Sequence, residues 1–118
     1  MSDAVTGFFS AWSEGDPDKR HELIKGAMAS GFGYADPKTK GQIKELDALT
    51  DYVGEFGANA PGWTATVMKT ETIAGFDRIL IGFGDEGGIQ MHGQYFAKTD
   101  GDGKIKRLIG FVGTGAPE

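Results

Sequence analysis

The residue pair in this sequence best suited to acid–base chemistry is an aspartate followed by a proline, Asp36-Pro37. It follows the short apolar segment 31–35, and the proline cannot continue a central strand, so the carboxylate is fixed where that segment ends. Further polar side chains interrupt segments that otherwise consist of core residues: Arg78, His92 and Gln94. A polar group buried without a partner costs about 1–3 kcal/mol. The pattern therefore predicts a cavity lined by polar groups.

The composition is that of one globular domain. The chain has 118 residues, of which 39% are hydrophobic and 25% are charged, so we expect a single domain over 1–118 with one core and a small cavity. No apolar run approaches the roughly 18 residues needed to span a bilayer. The first residues carry neither the basic nor the apolar region of a secretory signal. These features predict a cytoplasmic protein with no membrane partner.

The sequence argues against two further classes of ligand. There is no cysteine, and the two histidines, His21 and His92, are not in any spacing typical of a metal site, so no metal or cofactor is predicted. The net charge is −5 and the basic residues are dispersed, which argues against binding to nucleic acid. The expected partner is a small hydrophobic molecule.

The first half of the chain is predicted to be mostly helical. Apolar residues at helical spacing predict a first helix over 3–14. A second helix begins at Asp16-Pro17, which supplies an N-cap and a proline at the first helical position, and Gly31 ends it. The same spacing predicts a third helix over about 47–57.

The second half is predicted to form strands joined by glycine turns. A short strand at 32–35 precedes the third helix, and four longer strands follow Trp63: 64–73, 76–84, 89–98 and 104–113. Because the turns are short, these four strands form an antiparallel meander. Glycines inside two of them, Gly82 and Gly93, suggest bulges or strong curvature. Helices grouped on one face of an antiparallel sheet are an α+β architecture.

Three short motifs stand at defined places in this order of elements. They are Gly-Tyr-Ala-Asp-Pro at 33–37, Pro-Gly-Trp at 61–63 and Asp-Gly-Lys-Ile-Lys-Arg-Leu-Ile-Gly-Phe at 102–111. Over nearly its whole length the chain resembles the nuclear-transport-factor-2-like (NTF2-like) superfamily, and within it the SnoaL-like polyketide cyclases and the ketosteroid isomerases. The resemblance implies a cone-shaped α+β barrel, in which a strongly curved sheet wraps around the helices and leaves a hydrophobic cavity. It also implies a homodimer across the outer sheet face.

The resemblance implies roles for individual residues. The general base of ketosteroid isomerases precedes a proline after the first strand, which matches Asp36. Their oxyanion donors are a tyrosine on the first helix and a protonated acid on the third meander strand. These positions fall at Phe8, which has no hydroxyl, and at Gln94, which can donate through its amide. The implied chemistry is proton abstraction without a cofactor. The alternative for Asp36 is an Asp-Pro turn whose carboxylate caps local amides.

Strand alternation adds neighbours to these two positions. Tyr34 and Phe32 share the face of Asp36, so Tyr34 is either a phenol donor or a core tyrosine. If Gln94 faces the cavity, two further residues on its strand face it as well, His92 and Phe96. His92 is then either an acid–base group or a partner at the end of the sheet. The opposite face, which carries Met91 and Tyr95, is left for the dimer.

Aromatic residues and one arginine complete the candidate site. Four aromatic residues of the predicted core also form the cavity wall: Trp12, Tyr52, Phe56 and Trp63. Arg78 either binds an anionic group near Asp36 or pairs with Asp77 or Glu71 at the end of the strand.

Three functional hypotheses follow from these residues. The leading one is a cofactor-independent isomerase or cyclase, in which Asp36 takes a proton next to a carbonyl of a hydrophobic ring substrate. Gln94 and Tyr34 would then hold the enolate. The second is a non-catalytic protein that binds a small hydrophobic ligand, and the third is a dimeric interaction module whose cavity is filled by side chains.

Overall fold

Three helices and five strands make up the computed structural model, which describes residues 3–113. Residues 1–2 and 114–118 of the predicted domain lie outside the described residues. The helices are α1 (Asp3–Ser10), α2 (Pro17–Ala27) and α3 (Leu46–Asn59), with a 3-10 turn over Ala11–Ser13 after α1. The strands are β1 (Met28–Ala35), β2 (Thr64–Ile73), β3 (Phe76–Asp85), β4 (Gly88–Thr99) and β5 (Ile105–Val112).

Local sequence signals account for the start of α2. The carboxylate of Asp16 accepts hydrogen bonds from the backbone N–H groups of Asp18, at 2.9 Å, and Lys19, at 3.4 Å. Pro17 occupies the first helical position, where a backbone N–H would have no acceptor within the helix, so the proline costs no hydrogen bond. The predicted start of this helix is confirmed. Its end lies at Ala27 rather than at Gly31, because β1 begins at Met28.

The sheet contains one pairing that the meander does not imply. The strand order is β1-β5-β4-β3-β2, and β1 runs parallel to β5 while the other neighbours are antiparallel. The sheet is therefore mixed, and it is open, with β1 and β2 at its edges. The α+β fold class and the antiparallel meander of β2 to β5 are confirmed, and the parallel edge strand β1 is an addition to that meander. Alternation along β1 could not identify β5 as its partner, because the whole meander separates them in sequence.

The core lies between the helices and one face of the sheet. Inward-facing residues of β3 and β4 pack against aromatic residues of α1: Phe8, Phe9, Ile79, Ile81 and Tyr95 are at most 4% exposed. The register shifts fall at residues other than the two glycines predicted to form bulges. Gly82 instead leaves room on the outer face, where a Cβ would stand 2.6 Å from Ile89 Cδ1.

The turn between β2 and β3 generates a stability prediction. Ala74 and Gly75 both have positive φ, +53° and +85°, and they form a two-residue hairpin loop. In this left-handed conformation, residues other than glycine, asparagine and aspartate are disfavoured by about 1–2 kcal/mol. We expect Ala74→Asn to raise the free energy of unfolding by about 0.5–1 kcal/mol in urea titrations, since Asn-Gly is a preferred pair in this turn. Ala74→Val serves as the control and should lower it; equal effects of the two changes would contradict this account of the turn.

Candidate active site

Strand β4 turns a different face to the core than the sequence predicts. Gly93, Tyr95 and Ala97 are buried, whereas Gln94 is half-buried and Phe96 is exposed on the outer face. The prediction that Gln94 and Phe96 face the cavity is therefore wrong, and so is the assignment of Tyr95 to a dimer surface. Successive side chains of a strand alternate between its two faces, so the burial of Gly93, Tyr95 and Ala97 places Gln94 and Phe96 on the outer one; His92, nearer the start of β4, still lines the cavity.

A cluster of hydroxyl groups surrounds the carboxylate of Asp36. Tyr34 donates its hydroxyl to Asp36 Oδ2 at 2.7 Å, and the Tyr52 hydroxyl lies 2.6 Å from both Oδ1 and Oδ2. The backbone N–H of Lys38 donates to Oδ1 at 2.9 Å. The Tyr95 hydroxyl lies 3.5 Å from that of Tyr34. The carboxylate thus accepts hydrogen bonds from two phenols and one backbone amide.

Each member of this cluster comes from a different place in the fold. Asp36 follows the last residue of β1, and its backbone N–H donates a hydrogen bond to the Thr39 hydroxyl at 3.1 Å. Tyr34 lies on β1 and Tyr52 on α3. The Tyr95 ring on β4 packs directly over Gly110 of β5, where a Cβ would collide with it. Both readings of Asp36 made from the sequence therefore have support, because the carboxylate caps the Lys38 amide and also lies in a polar cluster.

Burial keeps the phenols of this cluster protonated. Desolvation raises the pKa of Tyr34 well above its usual value, and the neighbouring Tyr95 and Asp36 raise it further. Desolvation is also the main cause that raises the pKa of Tyr52, and the hydrogen bond from Tyr52 to Asp36 raises it further. The pKa of Tyr95 is raised by burial as well. At neutral pH the three side chains are therefore hydrogen-bond donors rather than bases.

A cavity of about 400 Å³ opens beside the cluster. Its wall contains six of the residues that the sequence predicts for the site: Trp12, Asp36, Tyr52, Phe56, Trp63 and His92. Aromatic rings dominate it, and Trp12 packs against Phe56 and Phe83 with centroid distances of 5.0 and 5.8 Å. The wall is apolar on most sides and carries a carboxylate and phenols on one side.

The other five predicted residues do not line this cavity. Phe32 is buried in the core, and Phe96 packs against Phe111 on the outer face with a centroid distance of 5.8 Å. Arg78 is exposed and pairs with Glu71, which confirms the alternative reading of that arginine. Gln94 lies between Leu80 and Phe111 of the adjacent strands. Tyr34 is fully buried behind the wall and reaches the site only through its hydrogen bond to Asp36.

Three of the wall residues that were not predicted carry polar groups of interest for the site: Tyr95, Glu55 and Asn59. Tyr95 was placed on the wrong face, and Glu55 and Asn59 on α3 were not considered. Glu55 and Asn59 could have been predicted from their spacing on α3. One face of this helix carries residues three or four positions apart, namely Tyr52, Glu55, Phe56 and Asn59.

Residues 3–113 hold neither a metal site nor a membrane-spanning helix. This part of the chain contains no group of three or more histidine, cysteine, aspartate or glutamate side chains that could hold a metal ion. Within the same residues no helix is long and apolar enough to cross a membrane.

No protein-family model and no curated protein sequence matches this chain. Solved structures do match it. One is a provisionally assigned isomerase of the SnoaL-like family from Agrobacterium tumefaciens, which is 19% identical and has a TM-score of 0.82. The match covers 94% of this chain and 95% of that one. A provisionally assigned polyketide cyclase from Sinorhizobium meliloti matches at 19% identity and TM-score 0.66, over 93% and 94% of the two chains. A ketosteroid-isomerase-like protein from Catenulispora acidiphila, in complex with trimethylamine, matches at 15% identity and TM-score 0.70, over 94% and 85%. The chain has the NTF2-like fold, which confirms the resemblance at the level of architecture.

The raised phenol pKa values predict how stability depends on pH. An unfolded tyrosine ionises at about pH 10, whereas Tyr34 in the folded protein does so only at higher pH. The stabilisation is therefore complete below about pH 10 and is lost as the pH rises above it, by up to about 1.4 kcal/mol per pH unit for each protected phenol. We expect the absorbance of tyrosinate to appear only as the protein unfolds. We also expect the free energy of unfolding to fall less steeply above about pH 10 in Tyr34→Phe than in the wild type. Ionisation of all three tyrosines near pH 10 in the folded protein would contradict this.

Proposed function

We propose that the cavity binds a small hydrophobic molecule that carries a carbonyl group, and that Asp36 abstracts a proton next to that carbonyl. The observation that carries this proposal is the placement of the Asp36 carboxylate and two phenols, Tyr52 and Tyr95, in the wall of a cavity that is lined mostly by aromatic rings. Aromatic walls suit a flat ring, and convergent polar groups fix its orientation. The fold shared with provisionally assigned isomerases and cyclases supports the same class of chemistry.

The proposed reaction needs only groups that the chain supplies. An Asp36 carboxylate oxygen takes the proton from the carbon next to the carbonyl, and the electrons of the broken C–H bond move to the carbonyl oxygen. Tyr95 and Tyr52 donate hydrogen bonds to the resulting enolate oxygen. The protonated Asp36 then returns the proton to another carbon, which gives an isomer. Alternatively, the enolate carbon attacks a second carbonyl and closes a ring, and the alkoxide formed on that carbonyl oxygen takes the proton from Asp36. Neither outcome consumes a cofactor.

A second candidate function is binding without chemistry. It is favoured by the observation that the oxygens of Asp36 already accept hydrogen bonds from Tyr34, Tyr52 and Lys38. A carboxylate held in this way is a recognition group for a ligand donor as readily as it is a base.

Replacement of the carboxylate separates the two functions. We expect Asp36→Asn to slow the exchange of deuterium into β-tetralone next to its carbonyl by at least about 100-fold, the usual contribution of a general base. The binding of the ketone should persist, because the aromatic wall is unchanged. Nuclear magnetic resonance of the ketone in heavy water measures the exchange, and a ligand at 100 times its Kd should add about 2.7 kcal/mol of stability in thermal unfolding.

The matched control is Asp51→Asn, which removes an exposed carboxylate one residue before Tyr52 on α3. It should leave exchange unchanged. Binding with no exchange above the buffer rate in the wild type would favour the second function, and absence of binding would remove the support for both.

We also propose that two copies of the chain pair through the outer sheet face. Several large apolar side chains of this face are between 41% and 55% exposed: Met68, Ile89, Phe96 and Phe111. Two of them, Ile89 and Met68, meet over Gly82, and the other two pack against each other. Exposed apolar pairs on one face of a sheet are typical of an interface.

A charge placed on this face should separate the copies. We expect the wild type to sediment with twice the mass of the chain and Phe96→Lys to sediment as a monomer, because the lysine would be buried against the partner without a counter-charge. Ile73→Lys is the control, since Ile73 is 77% exposed and lies at the β2–β3 hairpin. A wild type that is monomeric at micromolar concentration, or a Phe96→Lys variant that stays dimeric, would contradict the proposed pairing.

A further inference from the structure

The donors to Asp36 differ in their freedom to move. Tyr34 is fully buried, and its ring packs against Phe8 and Trp12 with centroid distances of 5.6 and 6.5 Å. The Lys38 donor is a backbone amide two residues beyond the carboxylate, so the turn fixes it. Neither donor can leave Asp36 unless the core or the turn is disrupted.

Tyr52 is the donor that can be displaced. It belongs to a separate element, α3, it is only half-buried, and its side chain forms part of the cavity wall. Its hydroxyl lies 2.6 Å from both oxygens of Asp36, although it has a single proton to share between them. A hydroxyl that faces two acceptors can turn toward a third acceptor that enters the cavity.

We propose that Tyr52 exchanges its hydrogen bond on ligand binding, from the carboxylate of Asp36 to the carbonyl oxygen of the bound molecule. This inference rests on the proposed function and adds to it the step that frees the base. One movement of one hydroxyl exposes a carboxylate lone pair toward the cavity and at the same time supplies a donor to the oxygen on which negative charge develops. The same step makes the site selective for a ring that carries an acceptor oxygen over a hydrocarbon of the same shape.

The present hydrogen bonds of the two tyrosine hydroxyl groups at the cavity, those of Tyr52 and Tyr95, support the exchange. The carboxylate of Asp36 accepts from the same hydroxyl, that of Tyr52, which would stabilise an enolate, so an acceptor that draws this hydroxyl away also uncovers the base. Tyr95 offers a second hydroxyl, but among residues 3–113 it hydrogen-bonds to the Tyr34 hydroxyl at 3.5 Å and not to Asp36, so it has no bond to the carboxylate to exchange. Tyr52 is therefore the hydroxyl whose partner changes.

Fluorine resonance of the whole chain labelled with fluorotyrosine tests the exchange directly. The chain has three tyrosines, and single Tyr→Phe changes at Tyr34, Tyr52 and Tyr95 assign the three signals. The probes are β-tetralone and tetralin, which have similar shape and differ in the carbonyl oxygen. At equal occupancy we expect the Tyr52 signal to shift with β-tetralone and to stay in place with tetralin.

Binding by the variants gives an independent readout. Tyr52→Phe should weaken β-tetralone binding about 2- to 10-fold, the usual range for one lost hydrogen bond, and leave tetralin binding unchanged. Tyr34→Phe is the matched control, because it also removes a phenol donor from Asp36 but one that lies behind the wall. It should leave the ratio of the two affinities unchanged.

The outcomes separate this inference from the proposed function. If β-tetralone binds but the Tyr52 signal does not move, or moves equally with tetralin, the exchange is wrong while the cavity remains a binding site. A shift confined to the Tyr95 signal would assign the oxygen contact to Tyr95 and would also overturn the exchange. If neither probe binds, as judged from the ligands' own resonances, the proposed function fails and the inference falls with it.

Discussion

The hydrogen bonding of the Asp36 carboxylate is the constraint around which the site is arranged. A half-buried carboxylate beside aromatic rings is tolerated only if donors replace the water that it loses. The fold supplies them from β1, from the turn after β1 and from α3, so that one carboxylate ties the first strand to the third helix. Because these donors are phenols held neutral by burial, the same contacts that stabilise the fold also line the cavity with potential donors.

The sheet adapts to this cluster through small residues. Tyr95 reaches the cluster from β4 because glycines stand at two neighbouring inward positions, Gly93 and Gly110, where a Cβ would meet its ring. With Tyr95 inside, the alternate residues of β4 must lie on the outer face, where Phe96 packs against Phe111. One choice of strand face thus determines both the polar side of the cavity and the apolar character of the opposite surface.

Much of the architecture could be predicted from the sequence, because its signals are local. Asp16-Pro17 marks the start of α2, glycine turns separate the four strands of the meander, and Asp36 was recognised as the carboxylate of the site. The parallel pairing of β1 with β5 could not be predicted, since it depends on residues far apart in sequence. The face of β4 was predicted wrongly because alternation fixes which residues share a face but not which face is buried. Glycines at 93 and 110 were the available clue, as they make room for a ring only on the inner side.

The central claim is that the carboxylate and phenols of this cavity act together on the carbonyl of a bound ring. A crystal structure of the protein with a bound aromatic ketone tests it most directly. The account predicts the ring against the aromatic wall that Trp12 and Phe56 form, the carbonyl oxygen within about 2.6–3.2 Å of a tyrosine hydroxyl, and the adjacent carbon next to Asp36. A ketone bound with its oxygen turned away from the tyrosines, or bound only on the outer sheet face, would contradict it.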